Sequence, residues 1–567
     1  MQTPKEQIIS LILPHLSADG ITYDDLLPLI DYPKSPEMGD YTLACFVLAK
    51  KLRKAPPMIA ADILSKIEAD SKELFSCVEA VGGYLNFRLS DTAKTNAVLS
   101  FAKAGDSFGK SALGEGKTVV LDFSSPNIAK PFHIGHLGTT AIGNSLRRLH
   151  EFCGYKTISI NHLGDWGTQF GRLIVAFRRW GSREAIEEGG VDALGEIYRR
   201  FYAEAELDPT LNDEARAAFA AMEAGEKEAL ELWEWFKEIS LAEFQKTYKL
   251  LGIDFDSWNG EAFYNDKMDA VIQELDDKGL LTISDGAKVV DLSDEGMPPC
   301  LILKTDGSTL YATRDITAGL YRKNTYDFDK CIYVTDAGQS LHFKQWFTVI
   351  GKMGYGWSGD LVHVPYGKLS INGTKLASRT GNVVLLRDLF SDAIDRVRAI
   401  TIERNPSCEN LDEVSRAVGV GALVFNQLST GRIKDISFSV EEALNFDGNT
   451  GPYVQYTHAR ICSVLRKADY NGEEINALSF EPKEQELYAM LVRFPETVQK
   501  ALADYEPSTI SRYALDLCQC FNRFYQACPV LKAEGDARTL RLAFCKACEA
   551  VLKNCLWLLG MEAPETI

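Results

Sequence analysis

Two histidines, His133 and His136, stand three positions apart in the stretch Ser124 to Gly138, which reads SSPNIAKPFHIGHLG. This stretch predicts a polar loop that enters a helix, where backbone N–H groups and the helix dipole favour phosphate. Side chains three apart share one helical face, so both imidazoles would stabilise charge on one phosphoryl transition state. Gly135 lets a nucleotide approach the backbone. A pair of metal-binding or core histidines is the alternative.

A second cationic segment lies far downstream, in the string GTKLASRTGN. It carries Lys375, Ser378 and Arg379 on a polar loop that is bounded by glycines and follows a predicted strand. Such a loop is usually a solvated surface, which is the alternative here. Its interpretation as a functional site therefore depends on the presence of the paired histidines in the same chain.

A strand–helix–strand pattern surrounds the histidines. Lys117 to Phe123 predicts a buried strand, Ile134 to Phe152 a helix that stops at Gly154, and Lys156 to Asn161 the next strand. Two parallel strands joined by a helix imply an α/β fold with a doubly wound parallel sheet, whose ligand lies at the carboxyl edge. Further strands are predicted at Lys288 to Asp291, Cys300 to Lys304, Lys330 to Thr335 and Leu361 to Val364.

The flanks have a different character. Residues 1–112 predict an α+β unit with a helix from Thr42 to Arg53 and a strand from Gly82 to Phe87. Residues 113–390 hold the predicted sheet together with a charged helical insertion from Arg183 to Lys249, whose stripe at Leu232, Trp233, Trp235 and Phe236 predicts core packing. Residues 391–567 are predicted to be helical almost throughout.

Composition limits the class of protein. A chain of 567 residues with 46% hydrophobic and 25% charged residues predicts a globular protein of about three or four domains. Its net charge of −18 argues against a general nucleic-acid binder but allows a local basic surface. We find neither a transmembrane run nor a signal peptide, and thirteen cysteines in such a chain are expected to be reduced, buried thiols. We therefore expect a cytoplasmic enzyme.

The combined motifs resemble those of class I aminoacyl-tRNA synthetases. The stretch with His133 and His136 resembles the HIGH signature, and the string NHLGDWGTQFG, Asn161 to Gly171, is similar to the arginyl branch. The segment with Lys375 resembles the KMSKS loop, whose cations neutralise the β- and γ-phosphates of ATP, although Ser378 replaces its second lysine. In arginyl-tRNA synthetases with that replacement, a lysine before HIGH substitutes for it, which implies this role for Lys130.

The resemblance also implies an arginine pocket. A guanidinium is a planar fork of donors, so its partners should be carboxylates. The family places the arginine side chain against Tyr311 and Asp315, which share a face if STLYATRDI is helical, with Gln339 beside them. Glu261 is a second candidate carboxylate, and a helix cap or a salt bridge to Arg314 or Arg322 is the alternative for Asp315. Ser125 and Asn127 would hold the α-amino and carboxylate groups.

Two flanking modules resemble parts of the same family. Residues 1–112 resemble the additional N-terminal domain that meets the tRNA elbow, with a basic cluster at Lys50, Lys51, Arg53 and Lys54. Residues 391–567 resemble the helical DALR anticodon-binding domain, although the Asp-Ala-Leu-Arg string is not intact. Exposed Tyr453 and Tyr456 would stack on unpaired anticodon bases, or else pack as half-buried helical residues.

The sequence thus predicts an arginine–tRNA ligase with a Rossmann-type catalytic core. Its substrates would be L-arginine, tRNA(Arg) and ATP accompanied by Mg²⁺, with no metal held by the protein itself, and we expect a monomer. One rival is another class I ligase or a small-molecule adenylating enzyme. A second rival is an inactive relative that serves as an RNA-binding scaffold, against which the intact His133, His136, Lys375 and Lys130 weigh.

Overall fold

The structure is a computed structural model. It describes residues 3–33, 35–67, 74–371, 374–375, 384–468, 470, 472 and 475–567, with the backbone alone at Pro36, Ile371, Thr374 and Lys375. Ser378 and Arg379 therefore lie outside the described residues.

Helices occupy the following ranges in chain order: Pro4–Ile12, Tyr23–Leu26, Leu48–Leu52, Pro56–Ile67, Asp91–Ala104, Leu137–Phe152, Thr168–Trp180, Arg183–Leu207, Thr210–Glu223, Lys227–Leu251, Met268–Asp277, Tyr311–Tyr326, Ser340–Lys352, Leu386–Arg404, Leu411–Leu428, Val440–Ala443, Gly451–Ala468, Pro482–Val492, Phe494–Ala503, Ser508–Ala527 and Gly535–Leu558. Strands occupy Ile30–Asp31, Tyr41–Ala44, Phe75–Val81, Tyr84–Leu89, Thr118–Asp122, Lys156–Ile160, Leu281–Ser284, Ala287–Val290, Cys300–Leu303, Lys330–Asp336, Leu361–Tyr366, Leu369–Ile371, Thr374–Lys375 and Ile436–Phe438. None of the helices in these described ranges has the length and hydropathy needed to cross a bilayer.

The chain forms two compact units. The first combines Met1–Phe108 with Arg460–Phe494 and Asp516–Leu552, and the second combines Gly109–Ala459 with Pro495–Leu515 and Lys553–Ile567.

The first unit contains a four-stranded antiparallel sheet. Its strand order is Ile30–Asp31, Tyr41–Ala44, Tyr84–Leu89 and Phe75–Val81. The predicted helix from Thr42 to Arg53 is wrong: Tyr41–Ala44 is a strand, and the helix is confined to Leu48–Leu52. The sheet buries Tyr41 and Leu43 on one face, and this pairing outweighs the helical spacing of the apolar residues.

A buried ion pair stabilises the same unit. Lys94 Nζ lies 3.1 Å from Asp40 Oδ2, and both side chains are almost fully buried. Asp40 also accepts from the backbone N–H of Leu89 at 2.8 Å and from Gln485 Nε2 at 3.0 Å. The Asp40 carboxylate thereby has one cationic partner and two hydrogen-bond donors, which offset the cost of burying its charge.

The second unit is built on a four-stranded parallel sheet. Its order is Leu361–Tyr366, Lys330–Asp336, Thr118–Asp122 and Lys156–Ile160. The chain leaves the strand Thr118–Asp122 through the helix Leu137–Phe152 to reach one neighbour, while the other neighbour comes from much later in the sequence. The strand order therefore reverses at Thr118–Asp122, which confirms the doubly wound fold and places the ligand crevice at this carboxyl edge.

Two smaller sheets accompany the parallel one. The strands Leu281–Ser284, Ala287–Val290 and Cys300–Leu303 form an antiparallel meander. The strand Leu369–Ile371 pairs antiparallel with Thr374–Lys375 and parallel with Ile436–Phe438. The region from residue 391 onward is thus helical as predicted, apart from the short strand Ile436–Phe438.

Most of the cysteines are core residues. All thirteen lie among the described residues, and none of them is part of a disulfide. Cys518, Cys545, Cys548 and Cys555 are fully buried in helices, which confirms the prediction that they act as small hydrophobic residues.

Candidate active site

The strand Thr118–Asp122 ends in a tight loop that turns the backbone toward the sheet edge. Ser124 and Ser125 have φ angles of 72° and 47°, in the left-handed region that costs energy for residues other than glycine. Ser124 Oγ contacts Tyr248 Oη at 2.7 Å, and the N–H of Ser125 donates to Asn161 Oδ1 at 3.1 Å. These bonds hold the strained turn in one conformation.

Asn127 continues this loop beside the next strand. Its backbone forms a parallel bridge with Gly164, through bonds from Ile128 N to Gly164 O and from Gly164 N to Pro126 O, each of 3.1 Å. A Cβ atom at Gly164 would come within 2.1 Å of Asn127 Oδ1, so only glycine permits this approach. The exposed Asn127 is therefore fixed at the mouth of the crevice.

The two histidines come together as predicted, but by a different local geometry. His133 precedes the helical segment with extended angles (φ −111°, ψ 167°) and caps it, whereas His136 ends the 3-10 turn Ile134–His136. Their ring centroids lie 4.0 Å apart. The two residues therefore do not share a helical face, since a capping conformation is what brings their rings together.

Hydrogen bonds define the tautomer of His133. Gly135 N–H donates to His133 Nδ1 at 3.1 Å, and an accepting Nδ1 requires the proton on Nε2, which leaves Nε2–H as a donor. His136 Nδ1 lies 3.2 Å from both the backbone N and the carbonyl O of His133, so it faces one donor and one acceptor. Burial lowers the pKa of His136 to about 3, and the neighbouring His133 adds to this lowering. Both imidazoles are thus neutral at the amino end of the helix Leu137–Phe152.

Lys130 lies close enough to act on both rings. Burial lowers the pKa of His133, and the positive charge of Lys130 lowers it further. The same charge also lowers the pKa of His136. The exposed ammonium of Lys130 and the two imidazoles thereby face one region of the loop.

The residues that follow the second cationic segment return onto the histidines. Leu385 forms an antiparallel bridge with His133, the N–H of Ile134 donates to Val384 O at 3.1 Å, and the N–H of Leu386 donates to Phe132 O at 2.9 Å. The backbone of Lys375 lies in the strand Thr374–Lys375. Backbone hydrogen bonds therefore hold Val384 and Leu386 against the residues on either side of His133.

Two of the predicted arginine-binding residues lie on one helix. Tyr311 and Asp315 fall in the first turns of the helix Tyr311–Tyr326, which confirms that the segment is helical. Asp315 Oδ2 lies 2.5 Å from Nε2 of His342, a residue that the sequence analysis did not select. Tyr311 and Gln339 are exposed at the surface of this region.

Glu261 is a partly buried carboxylate with a raised pKa. It lies 3.7 Å from Nη1 of Arg314, and its backbone N–H donates to Leu163 O at 2.9 Å. Burial raises the pKa of Glu261 to about 7; Arg314 opposes this shift, and Asp315 and Asp165 add to it. We call Glu261, Arg314, Asp315 and His342 the acidic cluster. Its two carboxylates suit a planar cationic ligand.

The helix Lys227–Leu251 packs against the histidine loop, which is the loop from Ser124 to Phe132 that leads to the histidines. The Oη atom of Tyr248 accepts from Asn161 Nδ2 at 3.0 Å, and Ser240 Oγ accepts from the backbone of Ala129 at 3.0 Å. Leu232 and Phe236 of the aromatic stripe are buried, in agreement with the predicted packing role. Neither Tyr248 nor Ser240 could be identified from local sequence patterns, because their contacts join segments more than 80 residues apart.

Two tyrosines lie on the helix Gly451–Ala468. Tyr456 is 46% exposed, and Tyr453 is half-buried. Tyr456 therefore presents an open ring face, whereas most of Tyr453 is in contact with protein.

A doubly wound sheet that joins paired histidines and an acidic cluster at one edge defines the catalytic domain of a class I synthetase. Residues 99–440 match the family model described as tRNA synthetases class I (R), catalytic domain. Residues 454–567 match the DALR anticodon binding domain, and residues 6–89 match the arginyl tRNA synthetase N terminal domain.

Similar proteins agree over nearly the whole chain. Arginine–tRNA ligases of Alkaliphilus metalliredigens and Clostridioides difficile are each 48% identical over 550 residues, covering 96% of this chain and 97% of their own. The solved arginyl-tRNA synthetase of Thermus thermophilus superposes with a TM-score of 0.82 at 26% identity, covering 99% of this chain and 100% of its own. The chain belongs to the arginyl-tRNA synthetase family, the arginine–tRNA ligases. It catalyses the ATP-dependent formation of arginyl-tRNA.

Proposed function

We propose that the residues at the sheet edge form two groups, one that binds ATP (the ATP half) and one that binds arginine (the arginine half). The observation that carries this division is the pair of neutral imidazoles, 4.0 Å apart at a helix start, with an Nε2–H donor on His133. Such donors bind the phosphates of ATP and strengthen their bonds as charge builds on the α-phosphate. Gly135 keeps this approach open.

In the first step the carboxylate of arginine attacks the α-phosphorus of Mg²⁺-ATP. A new oxygen–phosphorus bond forms, the bond to the β-phosphate oxygen breaks, and diphosphate leaves with that electron pair. His133 and His136 stabilise the transition state, and the cationic groups of Lys130, Lys375 and Arg379, with Ser378, neutralise the leaving diphosphate. Catalysis is positioning and charge neutralisation, with no protein nucleophile.

In the second step the 2′- or 3′-hydroxyl of the terminal adenosine of the tRNA attacks the carbonyl carbon of arginyl-adenylate. The ester bond forms, AMP leaves, and the hydroxyl proton is released. The acidic cluster holds the arginine side chain beside Tyr311 and Gln339, while Ser125 and Asn127 hold its α-amino and carboxylate groups. Asp315 and Glu261 supply the carboxylate partners that a guanidinium requires.

The flanking regions carry the tRNA. Residues 1–112 contact the tRNA elbow, and residues 391–567 contact the anticodon through Tyr453 and Tyr456. The protein acts as a monomer in the cytoplasm, where its substrates and a reducing environment for its thiols occur together. Mg²⁺ enters as part of the ATP complex rather than as a metal of the protein.

A pair of substitutions at His136 tests the ATP half. The amide of glutamine reaches the position of Nε2, whereas that of asparagine reaches only that of Nδ1. His136→Asn should therefore lower the rate of arginine-dependent ATP–diphosphate exchange by about 10²–10³, the effect of removing one preorganised donor. His136→Gln should retain more of the rate. Equal, near-normal exchange by two folded variants would refute the assignment.

A further inference from the structure

A buried ion pair lies directly beneath the crevice, and the reaction described above does not use it. Arg322 Nη2 lies 2.7 Å from Asp122 Oδ2, with 1% of the arginine side chain and 11% of the aspartate side chain exposed. Arg322 also lies over the ring of Tyr333, 5.3 Å from its centroid. Buried pairs of this kind contribute little net stability compared with apolar residues of similar size. Stability alone therefore does not account for a guanidinium at this place.

The other oxygen of Asp122 reaches the histidine loop. Ser125 Oγ donates to Asp122 Oδ1 at 2.9 Å, while the backbone N–H of Ser125 donates to Asn161. A hydroxyl that gives its hydrogen to a carboxylate retains only its lone pairs for a third partner. Ser125 Oγ is thereby prepared to accept a hydrogen bond, which is what a substrate ammonium group donates.

Arg322 also belongs to the helix that carries the arginine-binding residues. Tyr311, Asp315 and Arg322 are spaced by four and seven positions, so they follow one face of the helix Tyr311–Tyr326. The ion pair therefore fixes the register of this helix against the end of the strand Thr118–Asp122. The Arg322 guanidinium thus connects the helix proposed to bind the substrate side chain to the loop proposed to hold the substrate α-amino group.

We infer that Arg322 is a positioning residue, which acts through Asp122 to orient Ser125 for the α-ammonium group of arginine. This inference rests on the proposed role of Ser125. Without the guanidinium, the Asp122 carboxylate loses the partner that holds its Oδ2. A carboxylate that is free to rotate no longer keeps Oδ1 at the Ser125 hydroxyl, whose hydrogen then turns toward the substrate. The α-ammonium meets a donor in place of an acceptor.

The test compares L-arginine with 5-guanidinopentanoate, which is arginine without its α-amino group. Calorimetric titration of the full chain gives the ratio of the two dissociation constants. Arg322→Gln should reduce the preference for arginine by about ten- to a hundredfold, the range for losing a hydrogen bond to a charged group. Affinity for 5-guanidinopentanoate should change little, and Arg322→Lys, which retains the charge, should restore part of the preference.

Arg432→Gln is the matched control. Arg432 is a partly buried arginine of the same unit whose guanidinium donates to the carbonyl oxygens of Pro365 and Tyr505. Its replacement should leave the ratio at the wild-type value. An Arg322→Gln protein that weakens both ligands equally would overturn the inference, because a general packing defect affects both. If Arg322→Gln does not fold, Asp122→Asn gives the same reading: a reduced ratio supports the inference, and a wild-type ratio overturns it.

Ser125→Ala separates this inference from the proposal beneath it. A wild-type ratio in Ser125→Ala would contradict the role proposed for Ser125. A reduced ratio in Ser125→Ala, together with a wild-type ratio in Arg322→Gln, would overturn only the inference about Arg322.

Discussion

The two carboxylates of the acidic cluster have different partners. Asp315 Oδ2 lies 2.5 Å from His342 Nε2, whereas Glu261 lies 3.7 Å from Arg314, with 17% of its side chain exposed. Burial accordingly raises the pKa of Glu261 to about 7. In the proposed binding mode, the positive charge of the guanidinium opposes that shift, so that arginine binding and proton release would be linked at Glu261.

This linkage predicts a pH-dependent affinity. Below about pH 7 Glu261 holds a proton that arginine must displace, so the dissociation constant should fall as pH rises from about 6 to about 8, with a limiting slope of about tenfold per unit. Calorimetry in buffers of different ionisation enthalpy would also detect the released proton. Glu261→Gln cannot titrate and should give a flat profile. A wild-type profile as flat as that of the variant would contradict the linkage.

Asp315→Asn tests the other carboxylate. The variant keeps the shape and one acceptor but loses the charge, which should weaken arginine use by about 3–5 kcal/mol, the scale for a buried charge left without its partner. The Michaelis constants for arginine and ATP in tRNA charging measure this, and only the former should change.

Asp327→Asn is the matched control for this substitution. Asp327 ends the same helix, is exposed, and pairs with Lys323 at 3.0 Å. An unchanged Michaelis constant for arginine in a folded Asp315→Asn protein would show that Asp315 is not part of the arginine pocket.

At the scale of single residues, candidate residues could be chosen from the sequence by their chemical type, but the residues that they contact could not. Asp315 could be selected because guanidinium recognition requires a carboxylate near a predicted helix start. His342 could not, because its contact with Asp315 depends on how two helices 27 residues apart pack. Arg322 was considered only as a salt-bridge partner of Asp315, and the structure pairs it with Asp122.

At the scale of elements, the helix Leu137–Phe152 must approach the sheet closely to present its amino end at the crevice. Gly143 permits this approach: a Cβ atom there would come 2.2 Å from Cγ of Phe123. Gly195 is also a helical glycine, in Arg183–Leu207, but its nearest neighbour would be Arg199 Nη1 at 3.7 Å.

These two glycines predict opposite effects of alanine. Gly143→Ala should lower the free energy of unfolding by about 1–3 kcal/mol, the usual effect of overpacking. Gly195→Ala should raise it by about 1 kcal/mol, because alanine favours the helix and meets no obstruction. Denaturant unfolding of both variants measures the difference, and a similar effect at both positions would show that the contact with Phe123 does not limit the helix.

The elements that were predicted well are those whose pattern reflects one dominant force. The strand Thr118–Asp122 and the helix Leu137–Phe152 follow from a continuous apolar run and from a long helical period. The segment from Thr42 to Arg53 was predicted wrongly because its first residues pair with the strand Tyr84–Leu89, which is distant in sequence. Tyr311 and Asp315 were expected to share a face only if their segment is helical, and the structure has a helix there.

At the scale of the whole molecule, a chain with a net charge of −18 binds a polyanion. Its affinity for tRNA must therefore depend on local contacts, some of them insensitive to salt. The exposed ring of Tyr456 is a candidate for such a contact, since stacking on a base needs no counterion release.

Tyr456→Ala should weaken tRNA binding by about 1–3 kcal/mol, the range for one base stacked on an aromatic ring. The slope of affinity against salt concentration should stay unchanged, because no phosphate contact is lost. Tyr456→Phe retains the ring and should bind as the wild type does. Filter binding over a range of salt concentrations measures both quantities. A reduced slope for Tyr456→Ala, or a phenylalanine variant as weak as the alanine one, would argue against stacking.

The hydrogen bonds that join Val384 and Leu386 to Ile134 and Phe132 are made by backbone atoms. Every amino acid except proline carries the same N–H donor, so these two bonds do not require a particular side chain. Under the roles proposed above, single substitutions in the second signature leave both bonds in place. The serine at position 378, where the family pattern has lysine, is the kind of exchange that they permit. Charge can then pass from one signature to the other by substitution without loss of these bonds.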